Sequence, residues 1–371
     1  MKEALFVCHD AGGTIPPVLA VAEAMLDEGH RVTVLGQPSV QARAERIGAR
    51  FRAFTTLPDY DRHRTLEDQL ERIVPAVSGH GTGDDLRLVA DEVGADVVAV
   101  DPNLAGALAA GQAGDRPSAV LLHSVSRTFV DVWCGELWPL LADPINATRA
   151  GFGLDPATSW ASLFEGHDAV IAPAPAVFDE GAIPGLRHHG FLVPSPRGEA
   201  VADRPDVLVA LSTTYQRHEA LLGTIVEALG RLPLRALVTT GGHVAVDIAG
   251  GCPDNVELVD HVDHASIMAT TRVVVTHAGL GTVAVALAAG VPLVCTPIDR
   301  DQPLNAERVA ALGAGVVVDP ATATPDAIAT AVESVLADGA PYGPAAEAVA
   351  DASRKEGGAA GAARAILDLT A

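Results

Sequence analysis

From residue 272 to residue 290 the chain reads RVVVTHAGLGTVAVALAAG. An apolar run ends in His277, and Gly279, Gly281 and Thr282 follow before an alanine-rich stretch. The order is strand, glycine turn, helix. Such a corner suits an anion. The first amides of a helix lack internal partners, and the helix dipole places partial positive charge there. Gly279 and Gly281 let backbone approach a charged group closely, and His277 and Thr282 add side-chain donors. A diphosphate can be held in this way without a metal. The same corner also occurs as a plain packing turn, and the dinucleotide pattern G-x-G-x-x-G is not completed: Val283, Ala284 and Val285 follow Thr282.

The elements that must position this corner are legible along the chain. Short apolar runs at 4–9, 31–36, 96–101, 118–123 and 168–173 predict buried strands, with a helix near 17–28 after the first. A proline-rich, charged stretch at 193–206 predicts a linker. Alternation then restarts, with strands at 206–212, 234–241, 255–260, 272–277, 292–297 and 315–319 and helices at 217–230, 282–289, 305–312 and 325–338. The alanine-rich end, 345–369, predicts one or two helices. Alternation of this kind predicts two parallel sheets with helices on both faces. The domain boundaries expected are 1–195, 205–350 and a terminal helical segment, 351–371, packing back on the first domain.

The chain has 371 residues, enough for two domains, and 49% of them are hydrophobic, enough for a sizeable core. Its formal net charge of −22 argues against binding nucleic acid or an anionic membrane surface. The four cysteines, Cys8, Cys134, Cys252 and Cys295, form no C-x-x-C pair and no zinc spacing. No metal site is expected. The chain opens on a strand, and no run reaches membrane-spanning length. The expectation is a cytoplasmic protein, with a homodimer left open.

The block from Thr239 to Gly315 carries a composite pattern: TTGG at 239–242, DNVE at 254–257, H-x-G-x-G-T at 277–282, GVP at 290–292, DQ at 301–302 and NA at 305–306. This resembles the donor half of GT-B inverting glycosyltransferases, the family of plant UDP-glycosyltransferases and bacterial natural-product glycosyltransferases. GTIPPVLAVAEAML, from residue 13, is more weakly similar to the other half. The resemblance implies an α/β fold of two doubly wound, Rossmann-like parallel-sheet domains facing across a cleft. It implies a nucleotide-sugar co-substrate, no resident cofactor and no metal. By this resemblance His277, Gly279, Gly281 and Thr282 hold the donor diphosphate, and Asp301 and Gln302 contact sugar hydroxyls. Ser212 and Thr213 lie on the phosphate-facing loop. Gly242 closes the TTGG segment on the donor side. His261 and Val262 open the stretch that holds the nucleotide base, where His261 replaces a stacking indole and Asp263 a proline. Many relatives carry a ribose-binding glutamate three residues past the motif threonine. Here that residue is Val285, which cannot accept a bond from a 2′-hydroxyl. The expectation is therefore a dTDP-sugar rather than a UDP-sugar.

The resemblance also implies a general base for the acceptor hydroxyl, a histidine in the first loop. Thr14 occupies its position. His9 and Asp10 stand just upstream at the end of the first strand, which in doubly wound sheets faces the ligand crevice. The partner aspartate matches Asp101, and His123 ends a third strand. His9, Asp10, Thr14 and Asp101 form the candidate catalytic set. His123, Phe129, Trp133 and Trp138 are candidates to line a pocket for a small-molecule aglycone, the expected acceptor. Alternatives stay open: a cell-wall or lipid-linked sugar transferase or an epimerase of the same fold, or an auxiliary protein that kept the donor fold and lost catalysis.

Overall fold

A computed structural model of the chain describes residues 1–57, 74–194, 205–211, 219–241 and 251–371. The chain forms two compact units, Met1–Pro194 with Lys355–Ala371, and Ser195–Arg354.

Unit 1 is built on β1 (Glu3–Val7), β2 (Arg31–Gly36), β3 (Arg50–Ala53), β4 (Val97–Val100), β5 (Ser118–Leu121), β6 (Ala169–Ile171) and β7 (Leu186–Arg187). They lie in the order β3-β2-β1-β4-β5-β6-β7 and pair in parallel throughout. The inner strands β1, β4, β5 and β6 are apolar along most or all of their length because both faces are covered. Leu5, Val7, Val98, Val100 and Val120 point into one core, and Ala4, Phe6, Val97, Ala99 and Ala119 into the other. The helix Ile15–Asp27, which links β1 to β2, supplies Ile15, Val18 and Val21 to the second core. The helix Ala105–Gln112, which links β4 to β5, supplies Ala107 and Leu108 to the first. The two connections thus leave on opposite faces, and the winding reverses between β1 and β4.

Unit 2 holds β8 (Val207–Ala210), β9 (Ala236–Thr239), β10 (Val256–Val259), β11 (Val273–Thr276), β12 (Leu293–Cys295) and β13 (Gly315–Val317). Their order is β10-β9-β8-β11-β12-β13, again parallel. The helices Glu219–Gly230 and Pro325–Leu336 cover one face through Leu222, Ile225, Val226, Ile328 and Val332. Here the winding reverses between β8 and β11.

Ten of these strands fall within the runs predicted from the sequence, and β1 starts one residue ahead of its run. The two others, β3 and β7, match no predicted run. Strand β3 reads RFRA at a sheet edge, so only Phe51 marks it as apolar. The helices Gly81–Val93 and Ala105–Gln112 were not anticipated either; the second is buried on all sides and shows no amphipathic period. The irregular, tryptophan-bearing region forms a π-helix, Thr128–Leu137, and a helix, Trp138–Gly151, with Pro144 inside it. Most of the expected linker, and Ser212, Thr213 and Gly242, lie outside the described residues. Among the described residues no helix is long and apolar enough to cross a membrane.

The chain end belongs to unit 1. The helix Tyr342–Glu356 stops at Gly357, whose φ is 100°, and Gly358–Leu367 follows. Ala362, Ala363 and Ile366 pack into the same core as Ile15 and Val18. The Glu356 carboxylate accepts the amides of Ala176 (3.1 Å) and Gly190 (2.9 Å).

Candidate functional site

In a doubly wound sheet, ligands bind beyond the carboxyl ends of the strands where the winding reverses. In unit 2 that point is the end of β11. Thr276 closes the strand, and its hydroxyl accepts the Ala278 amide (3.2 Å). Ala278 is buried in the left-handed region at φ 65°, and the helix Leu280–Ala288 starts behind Gly279. A left-handed residue with a Cβ costs roughly 1–2 kcal/mol. The surroundings hold it there: the Ala278 carbonyl accepts Asn305 Nδ2 at 3.0 Å. The other non-glycine residue with positive φ among those described is Arg300 (φ 63°), next to Asp301. Both lie at the candidate donor residues, as backbone strain often does at binding sites.

The two glycines have different reasons. A Cβ on Gly279 would stand 2.6 Å from His277 Nε2, so only glycine admits the imidazole there. A Cβ on Gly281 would meet nothing within 4 Å, so that side of the turn is open. His277 is buried, and its Nδ1 faces the Ala210 carbonyl at 3.4 Å. Its Nε2 therefore lies over the helix start, where the Leu280 and Gly281 amides have no intrahelical acceptor. The corner offers backbone donors, a dipole end and an imidazole to one anion.

Asp301 and Gln302 open the helix Gln302–Ala311. Gln302 Oε1 accepts the amides of Ile298 (2.8 Å) and Asp299 (3.1 Å), which fixes the start of this helix against the loop before it. Asn305 was not singled out from the sequence as a site residue. It is buried, and its Nδ2 donates to both the Ala278 carbonyl and Asp301 Oδ2 (2.9 Å), tying the glycine corner to Asp301. Asp263 caps the short helix His264–Met268 by accepting the Ala265 amide, which accounts for an aspartate at that position. His261 is exposed and Val262 half-buried beside it.

In unit 1 the reversal lies between β1 and β4, and His9, Asp10 and Asp101 stand there, with His123 after β5. Asp101 is wholly buried. Its Oδ2 accepts the backbone amide of His9 (3.0 Å), its Oδ1 accepts that of Asn103 (2.9 Å), and its Oδ1 lies 3.7 Å from His123 Nε2. Burial alone would raise the Asp101 carboxyl. The nearby imidazoles of His123 and His9, together with the Asn103 amide, outweigh it and hold it below the ordinary range. Burial lowers the His9 imidazole, so that ring is neutral near pH 7. His9 Nδ1 and His123 Nε2 are both buried without a hydrogen-bond partner among the described residues.

The other two members of the catalytic set are engaged elsewhere. The Thr14 hydroxyl donates to the His9 carbonyl and accepts the Ala11 amide (3.1 Å), which folds the loop. Asp10 accepts from the Gly12 amide (3.0 Å), Ser39 Oγ (2.8 Å) and Arg43 Nη2 (2.8 Å). Both shape the loop and leave little for an acceptor proton. Phe129 is fully buried and lies 5.9 Å from the His123 ring, so it backs that imidazole and presents no pocket surface. Trp133 and Trp138 are half-buried; Trp133 packs on Phe129 and on Trp160.

Two doubly wound parallel domains, one with an amide-lined corner and one with buried imidazoles and carboxylates at its strand ends, make up a GT-B fold. Residues 223–363 match the family model described as Erythromycin biosynthesis protein CIII-like, C-terminal domain. The chain is 28% identical over 379 residues to demethyllactenocin mycarosyltransferase of Streptomyces fradiae, covering 91% of this chain and 80% of that one. The crystal structure of the glycosyltransferase of kitacinnamycin superposes with a TM-score of 0.81 at 24% identity, covering 99% of each chain. Spinosyn rhamnosyltransferase SpnG has the same fold. Complexed with thymidine diphosphate it superposes at a TM-score of 0.76 and 19% identity, and complexed with spinosyn aglycone at 0.78 and 21%; both cover 99% of this chain and 100% of that one. The chain has the GT-B fold of these bacterial natural-product glycosyltransferases and is similar to them in sequence, and it is a glycosyltransferase.

Proposed function

We propose that the chain moves a sugar, with inversion, from a dTDP-sugar to a hydroxyl of a small natural-product aglycone, without a metal. The observation that carries this reading is the corner at His277–Gly281, where open amides and an imidazole converge on one anion position. The acceptor oxygen forms a bond to the anomeric carbon as the bond to the diphosphate breaks from the opposite face. Positive charge spreads over the sugar ring in the transition state. Leaving-group charge goes onto the diphosphate, where preorganised donors stabilise it. The nucleotide preference rests on Val285. It lies three residues past Thr282 on the same helix face, half-buried and apolar, so a ribose 2′-hydroxyl would find no acceptor there. The thymidine diphosphate complex of SpnG, a protein of the same fold, is consistent with this nucleotide.

Calorimetry with dTDP and UDP in the presence of EDTA tests the donor side. dTDP is expected to bind more tightly, with no change when magnesium is added. Tighter UDP binding, or binding that appears only with magnesium, overturns the proposal. The anomeric configuration of a product, read by NMR, tests inversion.

A further inference from the structure

Among the described residues, two hold a left-handed backbone without being glycine: Ala278 (φ 65°) and Arg300 (φ 63°). Glycine would adopt either conformation without strain. Asn305, in the first turn of the helix Gln302–Ala311, reaches both turns. Its Nδ2 donates to the Ala278 carbonyl at 3.0 Å and to Oδ2 of Asp301, the residue after Arg300, at 2.9 Å. An amide nitrogen carries two protons, and a carbonyl and a carboxylate only accept, so these two partners fix which way the side-chain amide is turned. Asn305 is wholly buried, and its Oδ1 has no partner among the described residues. Leaving an amide oxygen buried and unpaired costs stability, so stability alone does not account for an asparagine here. What the residue gains is control of one peptide. The Ala278–Gly279 peptide is trans, and in a trans peptide the carbonyl and the N–H point in opposite directions. Holding the Ala278 carbonyl against Asn305 therefore aims the Gly279 N–H the other way. It also fixes the turn from which the helix Leu280–Ala288 starts.

We propose that Asn305 is the positioning residue of the anion corner: anchored on the Asp301 carboxylate, it holds the Ala278–Gly279 peptide in the orientation that a diphosphate requires. This deepens the donor reading and rests on it. Asn305 acts through Ala278. Without its bond, Ala278 loses the contact that offsets its left-handed strain, and the turn relaxes in part of the molecules. The Thr276 hydroxyl, which accepts the Ala278 amide at 3.2 Å, holds the opposite end of the residue and leaves the carbonyl free to turn. The strain corresponds to a population change of roughly fivefold to thirtyfold. A ligand that binds only the strained turn is weakened by the same factor.

The test uses the full chain and calorimetry with dTDP. Asn305→Ala is expected to weaken dTDP binding roughly fivefold to thirtyfold. Made in a chain that already carries Ala278→Gly, the same substitution should cost roughly threefold or less, because glycine takes the left-handed turn without strain. Should Asn305→Ala not fold, Asn305→Ser carries the same comparison, since its one hydroxyl proton serves a single acceptor. Urea unfolding is read beside each titration. A lower midpoint with dTDP affinity unchanged makes Asn305 a residue of stability only and overturns the proposal. Equal affinity losses with and without Ala278→Gly overturn it too, because the effect would not pass through Ala278. A further readout needs no nucleotide. The ¹³Cα and ¹³Cβ shifts of Ala278 in the free chain should move in Asn305→Ala toward those of a right-handed or extended residue. Unmoved shifts overturn the proposal whether or not dTDP binds. A wild type that binds neither dTDP nor UDP, with shifts that move as expected, counts against the nucleotide reading and supports the brace.

Discussion

The two points where the winding reverses have the same topology and opposite chemistry. At the ends of β1 and β4 stand the His9 imidazole and two buried carboxylates, Asp10 and Asp101, with His123 beyond β5. Between β8 and β11 the strand ends carry glycines and open backbone amides, with a single imidazole beside them. A doubly wound sheet supplies a crevice at each point and specifies nothing about its contents. In the proposed transfer, unit 1 handles the acceptor proton. Unit 2 is equipped to hold negative charge by dipoles that no pH change removes. Substitutions that separate proton handling from anion binding therefore test this division directly.

The largest effect is expected from Asp101→Asn. The amide keeps the shape, but it cannot balance an imidazolium, and its nitrogen opposes the amides of His9 and Asn103. A rate loss of roughly 10²–10⁴-fold on an alcohol acceptor is expected, with dTDP affinity within twofold of the wild type. Equal losses in rate and dTDP affinity would break the comparison, because one unit would then be acting on both functions.

The next effect concerns stability against acid, and it too falls on unit 1. His167 Nδ1 is hydrogen-bonded to Ser118 Oγ (2.8 Å), its Nε2 is buried without a partner, and burial lowers its pKa to about 4. The folded pKa lies below the unfolded one, so the unfolded chain takes the proton first. Stability is intact above about pH 6.5 and falls as pH drops toward 4. From pH 7.5 to pH 5 the loss from this residue is about 2 kcal/mol. His9 is shifted in the same direction by burial and adds to it. Urea unfolding at the two pH values measures the loss, and His167→Gln should remove most of it. A variant with the wild-type pH dependence would show that the ring is not kept neutral by the fold.

In unit 2, His277→Ala removes the imidazole beside the open amides. A hydrogen bond to a charged group contributes about 1.5–3 kcal/mol, so dTDP affinity should fall roughly tenfold to a hundredfold. The proton-dependent limb of the rate profile should stay where it is. A shifted limb would place His277 in proton transfer and blur the division.

The two reversal points were not equally legible in the sequence. Glycine spacing encodes backbone shape, so the corner at Gly279 and Gly281 could be read from residue types alone. The buried strands could be read for a similar reason: a strand covered on both faces is a continuous apolar run. An edge strand such as RFRA at 50–53 has no such mark. In unit 1 the sequence named the residues that stand at the strand ends without their pairing. Which carboxylate oxygen meets which ring depends on how neighbouring strand ends are aligned, and that put Asp101 on the His123 imidazole and on the His9 backbone. Phe129 was read as pocket lining because burial depends on packing against Phe164 and Trp133, far from it or beside it in the chain. Asn305 was missed because its partner, the Ala278 carbonyl, lies 27 residues away.

The smallest effect expected sharpens the picture of unit 2 itself. Val285→Glu places a carboxylate one helical turn beyond Thr282, on a half-buried face. UDP and dTDP share the ribose 3′-hydroxyl, so a new acceptor there favours both nucleotides equally. Only the 2′-hydroxyl discriminates, and one exposed hydrogen bond contributes about 1 kcal/mol. The ratio of UDP to dTDP affinity should therefore rise about fivefold. Any repulsion between the new charge and the diphosphate lowers both affinities without changing their ratio. Val285→Gln separates the two contributions, because it keeps an acceptor and removes the charge. A ratio that rises in both variants places the ribose against this helix face. A ratio that stays fixed in both shows that the base, through its methyl group or ring edge, sets the nucleotide preference instead.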